Sequence, residues 1–596
     1  MADRDTSPRP GDPAPASRLS PAYAGREFDS PLRLFLALLL NVPTVLKIGF
    51  HEPLVPEFVL HGSQLALLGL YLLSIVVSAR LFGPATERRT DFLAVTRPEQ
   101  VAAVLGLLTF FWTPGAKIAA AFLLLFALTR LYLRLVRTRI PTGLVFLGSF
   151  VALTVAGSLA LLLPAATPPD RPITFVDALF TITSAISQTG LVVRPTGEAF
   201  TRFGQIIILA WIQVGALGVI VFGAVLVNVI GSSLSLRATQ TIAEGTEQGW
   251  SGQLGMQKLV TFIIVFTHAV ELIGAVLLYL FWPVSWMGDP ADFATEADRV
   301  YHAVFFAVSA FCNAGFVTTE ASMYGLRAHW TTHFVVGGLI MLGSIGFPAL
   351  DNMRRVLWAR IRGIRMRDGA LVRLNLNTKL ILVATLIVYV IGAALVFPTV
   401  ALYTDEPLII ALADAHFMTV NRTAGFSTIQ PADGPILVQL GYIALMAVGG
   451  SPGSVAGGIK VIAVAVLALS VWATIRGRDA TVAFGRTIPE PLVRKCAALA
   501  ILWVGSLLAF TSIVTVSEQD RGYTLEQIMF EVTSALATCG LSSGVSDDIS
   551  TTGKLALTAA MFIGRVGPFA VLAALLSTGS ARRSRYAYPH EDVTIY

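Results

Sequence analysis

Four times along this chain a short apolar run stops at a polar, glycine-bearing segment, and a long apolar run then resumes. The segments are Thr183-Ser184-Ala185-Ile186-Ser187-Gln188-Thr189-Gly190-Leu191, Ser309-Ala310-Phe311-Cys312-Asn313-Ala314-Gly315-Phe316, Asn421-Arg422-Thr423-Ala424-Gly425-Phe426-Ser427 and Ser534-Ala535-Leu536-Ala537-Thr538-Cys539-Gly540-Leu541. Aligned on glycines 190, 315, 425 and 540, a hydroxyl residue stands six positions earlier each time: Ser184, Ser309, Thr419 and Ser534. A Leu or Phe follows each glycine. The glycines are 125, 110 and 115 residues apart, so the repeating unit is large. Each unit reads as a long apolar helix, a short helix, the glycine segment and a second long helix.

Main chain outside regular helix is costly at membrane depth, about several kcal/mol for each unsatisfied peptide group. It is tolerated only where protein buries it or water lines it. One such segment reads equally well as a carrier's broken helix or a re-entrant turn. Four of them around an axis supply a path. Glycine admits positive φ, so an extended run can aim successive carbonyl oxygens at the centre. Four converging sets of carbonyls can replace the hydration shell of a cation. Each short helix would also point its C-terminal dipole, about half a negative charge, at that ion. The pattern implies an ion pore.

Composition agrees with a membrane setting. Of 596 residues 55% are hydrophobic and 13% charged, and the mean hydropathy is +0.71, whereas soluble domains carry about 25% charged residues. The fold class expected is an all-α integral membrane protein with four membrane–pore–membrane repeats in pseudo-fourfold arrangement, preceded by about four extra N-terminal helices. Repeat one takes 142–235, with helices at 143–164 and 203–230 around a short helix at 176–187. Repeat two takes 236–365, with helices at 256–283 and 329–350 and a short one at 299–311. Repeat three takes 366–480, with helices at 377–399 and 434–472 and a short one at 407–419. Repeat four takes 481–578, with helices at 493–516 and 552–577 and a short one at 524–536.

Residues 1–30, with five prolines among them, read as a disordered cytoplasmic tail, and 579–596 as a second one. No short apolar stretch with a small-residue cleavage site precedes the spans, so no removable signal peptide is expected. Residues 31–141 hold apolar spans near 33–50, 62–83, 98–113 and 116–136. Arg130, Arg134, Arg137 and Arg139 close the last of these. They read either as a positive flank or as the charges of a voltage sensor. Glu87, Asp91 and Glu99 stand at span ends rather than inside to pair with them, which favours the flank. Cys312, Cys496 and Cys539 have no metal-ligand spacing and read as small buried residues.

Loop charge sets the orientation. Arg354, Arg355, Arg360, Arg362, Arg365, Arg367, Arg373 and Lys379 follow repeat two; Arg476, Arg478, Arg486, Arg494 and Lys495 follow repeat three; Arg582, Arg583 and Arg585 lie in the final tail. Asp289, Asp292, Glu296, Asp298, Asp405, Glu406, Asp433, Asp547 and Asp548 lie near the glycine segments. The positive-inside rule then places the glycine mouths outside and both termini in the cytoplasm. Outer carboxylates would concentrate cations at the mouth.

Two further departures from spanning helix stand out. Gly449-Gly450-Ser451-Pro452-Gly453-Ser454-Val455-Ala456-Gly457-Gly458 has five glycines and a proline and cannot hold a helix. It is expected to interrupt the inner helix of repeat three alone, under the glycine segments, and to act as a flexible gate rather than a static kink. Arg565, in Gly564-Arg565-Val566-Gly567-Pro568, stands near mid-membrane, where a charge costs about 3 kcal/mol or more and marks function. It is expected to bond carbonyls of the loop and to repel the permeating ion. Arg422 is expected to turn away from the axis and brace the filter backbone.

On these motifs, with Gly457-Gly458-Ile459-Lys460, residues 142–578 resemble the Trk/Ktr/HKT superfamily of potassium transporters, in particular its TrkH- and KtrB-like membrane subunits. The resemblance implies a selectivity filter binding K+ at the backbone of Gln188, Thr189, Gly190, Leu191; Asn313, Ala314, Gly315, Phe316; Thr423, Ala424, Gly425, Phe426; and Thr538, Cys539, Gly540, Leu541. It implies an intramembrane gate of Gly449, Gly450, Ser451, Pro452, Gly453, Ser454, Gly457 and Gly458, opposed by Arg565. It implies a homodimer in the bacterial inner membrane, on cytosolic nucleotide-binding RCK/KTN subunits, with K+ as cargo and no organic cofactor in this chain. In plant relatives a serine at the first glycine accompanies sodium permeation, so the glycine here favours potassium.

No Gly-x-x-x-x-Gly-Lys-Ser/Thr motif occurs, so ATP hydrolysis by this chain is not expected, nor any enzymatic or nucleic-acid role. The leading reading is gated, channel-like potassium uptake. The alternatives are a cotransporter coupling K+ to Na+ or H+, and a voltage-gated channel using 31–141. Carriers place their sites at paired broken helices in two halves, whereas here one element recurs four times in one orientation.

Overall fold

The computed structural model describes residues 31–50, 55–81, 142–231, 253–282, 295–319, 323–327, 329–365, 371–403, 407–431 and 434–567, with Val104, Ala120 and Leu123. Outside them lie the tails at 1–30 and 579–596 and, but for those three residues, the spans at 98–113 and 116–136. So do Arg130, Arg134, Arg137, Arg139, Glu87, Asp91, Glu99, Arg367, Asp289, Asp292, Asp405, Glu406 and Asp433. The chain divides into two units, Met1–Pro141 and Thr142–Tyr596.

In the first unit the helices Pro31–Ile48 and Glu57–Leu81 share a small core of Leu36, Ala37, Leu40, Leu68 and Tyr71. Gln64 Nε2 donates to Thr44 Oγ1 at 3.1 Å, and Lys47 pairs with Glu57 at 2.7 Å.

The second unit is built from four helix triplets. Each has an outer, a short and an inner helix: Thr142–Leu161, Phe175–Ser187 and Arg202–Gly231; Gln253–Phe281, Glu296–Phe311 and Trp330–Ile345; Leu376–Tyr403, Leu408–Val420 and Ile436–Ala447; Glu490–Ser517, Leu525–Ala537 and Thr551–Val566. Among the described residues Thr261–Phe281, Leu376–Pro398 and Glu490–Ser517 are each long and apolar enough to cross a membrane alone. Their exposed residues include Val265, Leu272, Leu386, Ile391, Ile501 and Leu508, the outward-facing surface that hydrocarbon demands. The short helices are buried over most of their length and pack between the long ones. A two-stranded hairpin, Val482–Ala483 with Arg486–Thr487, is the one small addition to the all-α expectation among the described residues.

Two inner helices differ from expectation. That of repeat two is not continuous over 329–350. It breaks at Gly346 (φ +88°), and a second helix, Phe347–Ile361, leaves at 101°. Pro348, with no N–H to donate, is admitted because it falls in the first turn of the new helix. The inner helix of repeat three stops at Ala447 and resumes at Val461, running to Ile475. Interruption is therefore not confined to repeat three, and the two breaks meet.

The short helices begin in a way the sequence encodes locally. Thr174, Thr295 and Thr524 cap three of them in reciprocal boxes with Asp177, Asp298 and Gln527. Ion pairs then join neighbouring repeats. Lys554, on inner helix four, meets Asp177 of short helix one at 2.6 Å. Arg202, opening inner helix one, meets Asp298 of short helix two. Arg327, just before inner helix two, meets Asp414 of short helix three at 2.7 Å. Glu296 accepts from Tyr279 Oη at 2.8 Å and from Arg299 at 3.0 Å. Glu296 and Asp298, expected among the outer carboxylates, thus each have partners: Tyr279 and Arg299 for the first, Thr295 and Arg202 for the second.

Asp414 has no exposed side-chain surface, so removing Arg327 from it carries the penalty of breaking a buried ion pair, about 3–5 kcal/mol. Arg327→Met should lower the thermal midpoint of the detergent-solubilised protein. Adding Asp414→Asn to it should recover much of the loss. A midpoint unmoved by Arg327→Met would mean that this junction does not hold repeats two and three together.

Candidate functional site

The four glycine segments meet. A β-carbon placed on Gly190 would stand 2.6 Å from the Ala314 oxygen and 3.0 Å from Gly315 Cα. One on Gly315 would stand 2.3 Å from the Ala424 oxygen, and one on Gly425 2.7 Å from that of Cys539. One on Gly540 would stand 2.0 Å from the Thr189 oxygen and 3.0 Å from Gly190 Cα, which closes the ring in the order one, two, three, four. All four glycines have positive φ, +89°, +71°, +75° and +96°. Both the conformation and the space exclude a side chain.

The way the short helices end explains where the main-chain groups go. In repeats one, two and four the residue two before the glycine is left-handed: Gln188 (φ 59°), Asn313 (55°) and Thr538 (48°). The next N–H then reaches back to the helix: Thr189 to Ser184 O at 2.8 Å, Ala314 to Ser309 O at 2.8 Å, Cys539 to Ser534 O at 2.9 Å. This is a Schellman closure built on non-glycine residues. The hydroxyls six before the glycine complete it in two copies, Ser184 and Ser534 accepting from the N–H of Gly190 and Gly540 at 3.0 and 2.9 Å. The N–H groups are thus drawn into the short helices. No main-chain hydrogen bond among the described residues ends on the carbonyls of Thr189, Gly190, Ala314, Gly315, Ala424, Gly425, Cys539 or Gly540.

Copies two and three depart from the pattern. Ser309 donates to Phe316 O at 2.7 Å. Thr419 turns back to Ala415 O at 2.7 Å, and a 3-10 turn over Asn421–Thr423 replaces the left-handed residue. Asn421 takes over by bracketing Phe426, its Oδ1 accepting from the N–H at 2.9 Å and its Nδ2 donating to the carbonyl.

The loop 449–458 lies against this ring. A β-carbon on Gly457 would stand 2.1 Å from Thr538 Oγ1. The loop's two limbs are joined by Gly449 N–H to Ile459 O at 2.9 Å and Val461 N–H to Gly450 O at 3.0 Å. It is seated in the break of inner helix two, where Ser451 N–H donates to Ser344 O (3.0 Å), Val455 N–H to Gly343 O (3.3 Å) and Phe347 N–H to Gly453 O (3.1 Å). Three cationic side chains donate to carbonyls of the loop or its entry: Arg422 to Val448 and, at 3.5 Å, Gly449; Lys460 to Ala456 at 2.6 Å; and Arg565 to Val455. Arg422 therefore binds the loop's first limb rather than the filter backbone. Arg565 also donates to Gln188 Oε1 at 2.6 Å and Gly215 O at 3.2 Å, so one guanidinium joins repeats one, three and four.

Sequence reasoning passed over Lys460 as a loop ligand, although it stood in the quoted Gly-Gly-Ile-Lys motif. It also missed two buried carboxylates. Glu271, on outer helix two, accepts from Gln213 Nε2 at 3.1 Å, beside Cys312 Sγ at 3.6 Å. Glu531, in short helix four, accepts from the N–H of Ser543 at 2.8 Å and from the hydroxyls of Ser542 and Ser543, both at 2.9 Å. A lone Glu within an apolar run is the signal that could have found both. Cys312, Cys496 and Cys539 are free and buried.

Fold and ring together define a polytopic membrane protein of the four-repeat, pore-loop class. The chain belongs to the TrkH family of cation transport proteins, whose profile matches residues 123–582. It is 31% identical over 463 residues to Ktr system potassium uptake protein B of Bacillus subtilis, covering 76% of this chain and 96% of that protein. It is 32% identical over 477 residues to the potassium/sodium uptake protein NtpJ of Enterococcus hirae, covering 77% and 98%. Among solved structures, the potassium transporter TrkH from Vibrio parahaemolyticus matches 92% of this chain and 99% of its own, with a TM-score of 0.57 at 16% identity, a likeness of fold.

Removing the guanidinium would leave the Val455 and Gly215 carbonyls without this donor. Hydrogen bonds to a charged group are worth about 1.5–3 kcal/mol. Arg565→Met should therefore speed hydrogen exchange of the amides of 449–459 by about tenfold or more. Exchange at the parent rate would show that Arg565 does not hold the loop.

Proposed function

We propose that this protein carries potassium into the cell through a gated, channel-like pore, with flux following the electrochemical gradient. The closed ring of four glycine segments is the observation that carries the reading. A ring of main chain whose N–H groups are committed to the short helices has carbonyl oxygens left to offer. The filter is then Gln188–Leu191, Asn313–Phe316, Thr423–Phe426 and Thr538–Leu541. An ion entering from outside exchanges water for these oxygens while four helix C-termini face it.

On the inner side, the loop 449–458 is the gate. Closed, it lies against the ring and is held by Arg422, Lys460 and Arg565, whose positive charge also opposes a cation in the path. Opening withdraws the loop toward the break at Gly346. One pore with four copies in one orientation favours this over alternating access between two halves. The basic helix Phe347–Ile361, bent away from its span, is the natural contact for a cytosolic regulatory subunit. The relatives' membership in Ktr systems supports such a partner, of the nucleotide-binding RCK/KTN kind, and a homodimeric membrane subunit with both termini inside.

Two measurements in liposomes test the reading. Shortening 449–458 should raise potassium flux, and an unchanged flux would remove the gate assignment. Gly190→Ser puts a side chain at φ +89° with its β-carbon 2.6 Å from the Ala314 oxygen, so it should erode preference for potassium over sodium. Paired K+ and Na+ fluxes read this directly. An intact preference would count against carbonyl lining at that position.

A further inference from the structure

The residue two places before each filter glycine sends its side chain away from the ring, and in all four copies it meets the loop or what anchors the loop. Gln188, Asn313, Thr423 and Thr538 are each at most 3% exposed. Gln188 Oε1 accepts from Arg565 Nη2 at 2.6 Å, and Arg565 Nη1 donates to Val455 of the loop. Asn313 bonds Ser344 Oγ at 2.7 Å and Thr423 Oγ1 at 2.9 Å, contacts that survive in either orientation of its amide. Thr423 Oγ1 also lies 3.1 Å from Ser344 Oγ. The carbonyl of that same Ser344 accepts from the N–H of Ser451 at 3.0 Å and from its hydroxyl at 3.2 Å. Thr538 abuts Gly457 with no room for a methyl group between them.

We propose that Ser344 and the Gln188 side chain are specificity-determining positioning residues: they tie the filter to the loop, so that preference among alkali cations depends on where the loop lies. This rests on the reading of 449–458 as the gate. A filter made of main chain has no side chains of its own inside the ring, so its dimensions are set by what moors it from behind. Three of the four copies share their moorings with the loop. Copies two and three are fastened at one hydroxyl, Ser344, two residues before the hinge at Gly346. Copy one is fastened through Gln188 to the arginine that holds Val455. Withdrawal of the loop takes Ser451 from the Ser344 carbonyl and Val455 from Arg565, and the moorings must rearrange.

The test uses the full chain in liposomes, with K+ and Na+ permeabilities measured for the parent, a loop-shortened form, Ser344→Ala, Gln188→Met and each point variant combined with shortening. Ser344→Ala removes the hydroxyl that meets Asn313, Thr423 and the Ile340 carbonyl, and Gln188→Met the amide that meets Arg565 and the Ile212 carbonyl, each at nearly constant volume. Each should change the K+/Na+ permeability ratio by about fivefold, the equivalent of one hydrogen bond. Loop shortening should move the ratio as well, and the combined forms should show less than the product of the two changes, because the same mooring is already lost. A shortened loop that raises flux at the parent ratio, with both point variants also at the parent ratio, overturns the coupling and leaves the gate standing. A shortened loop that leaves flux unchanged overturns the gate reading instead. Two point variants on different repeats keep the outcome readable if one fails to fold.

Discussion

Peptide groups at membrane depth must be paired, and this molecule is organised by how it meets that requirement in two irregular stretches. In the ring, N–H groups turn back into the short helices, as at Thr189, Ala314 and Cys539, and oxygens remain. In the loop the reverse holds. Its N–H groups go to Gly343, Ser344 and its own second limb, and several of its carbonyls are met by Arg422, Lys460 and Arg565. One stretch leaves its oxygens without main-chain donors, which is what the proposed filter needs, while the other has several of its oxygens met by fixed cations. The contrast follows from where the main-chain groups turn and which side chains meet them, and it makes two glycine-rich segments opposite in character.

Fourfold recurrence is strict only where the ring needs it. The four glycines share one conformation and interlock, and neighbouring repeats are tied by Asp177–Lys554, Asp298–Arg202 and Asp414–Arg327. Away from the ring the symmetry lapses. Copies one and four use serine to hold the glycine N–H, copy two uses its serine on Phe316 O, and copy three replaces the device with Asn421. The lapse falls on the two repeats whose inner helices are broken. Thr423 of copy three and Asn313 of copy two are both held by Ser344, two residues before the break. The altered caps and the seat of the loop are parts of one local rearrangement.

The sequence was most readable where it broke its own hydrophobic pattern. Four polar glycine segments, a ten-residue Gly-Pro run and an arginine in an apolar helix are departures that length and period expose. What remained hidden was encoded in single residues. Gly346 followed by Pro348 is a helix end and a helix start in three positions, but inside an apolar run it looks like tolerated punctuation. The boxes Thr174–Asp177 and Thr295–Asp298 were readable in principle, yet Asp177 was passed over and Asp298 was counted as outer charge, because their ion-pair partners lie on other repeats. Arg202 is 96 residues from Asp298, and Lys554 is 377 from Asp177. Which charges pair across such separations is decided by the ring closing, and periodicity along one helix does not carry that information.

The loop is also where the cost of an intramembrane arginine is offset. Buried charge is tolerated when it is paired or hydrogen-bonded, and here the two terminal nitrogens of the guanidinium meet that need while Nε does not. Arg565 has Val455, Gln188 and Gly215 as acceptors, two of which do not belong to the loop. A guanidinium held by the loop alone would be stranded when the loop left, and the loop would be pinned. One held by repeat one as well can release Val455 and stay paired. In the proposed gate, sharing the charge between the loop and a fixed partner would let the arginine stay paired through opening rather than act as a permanent plug.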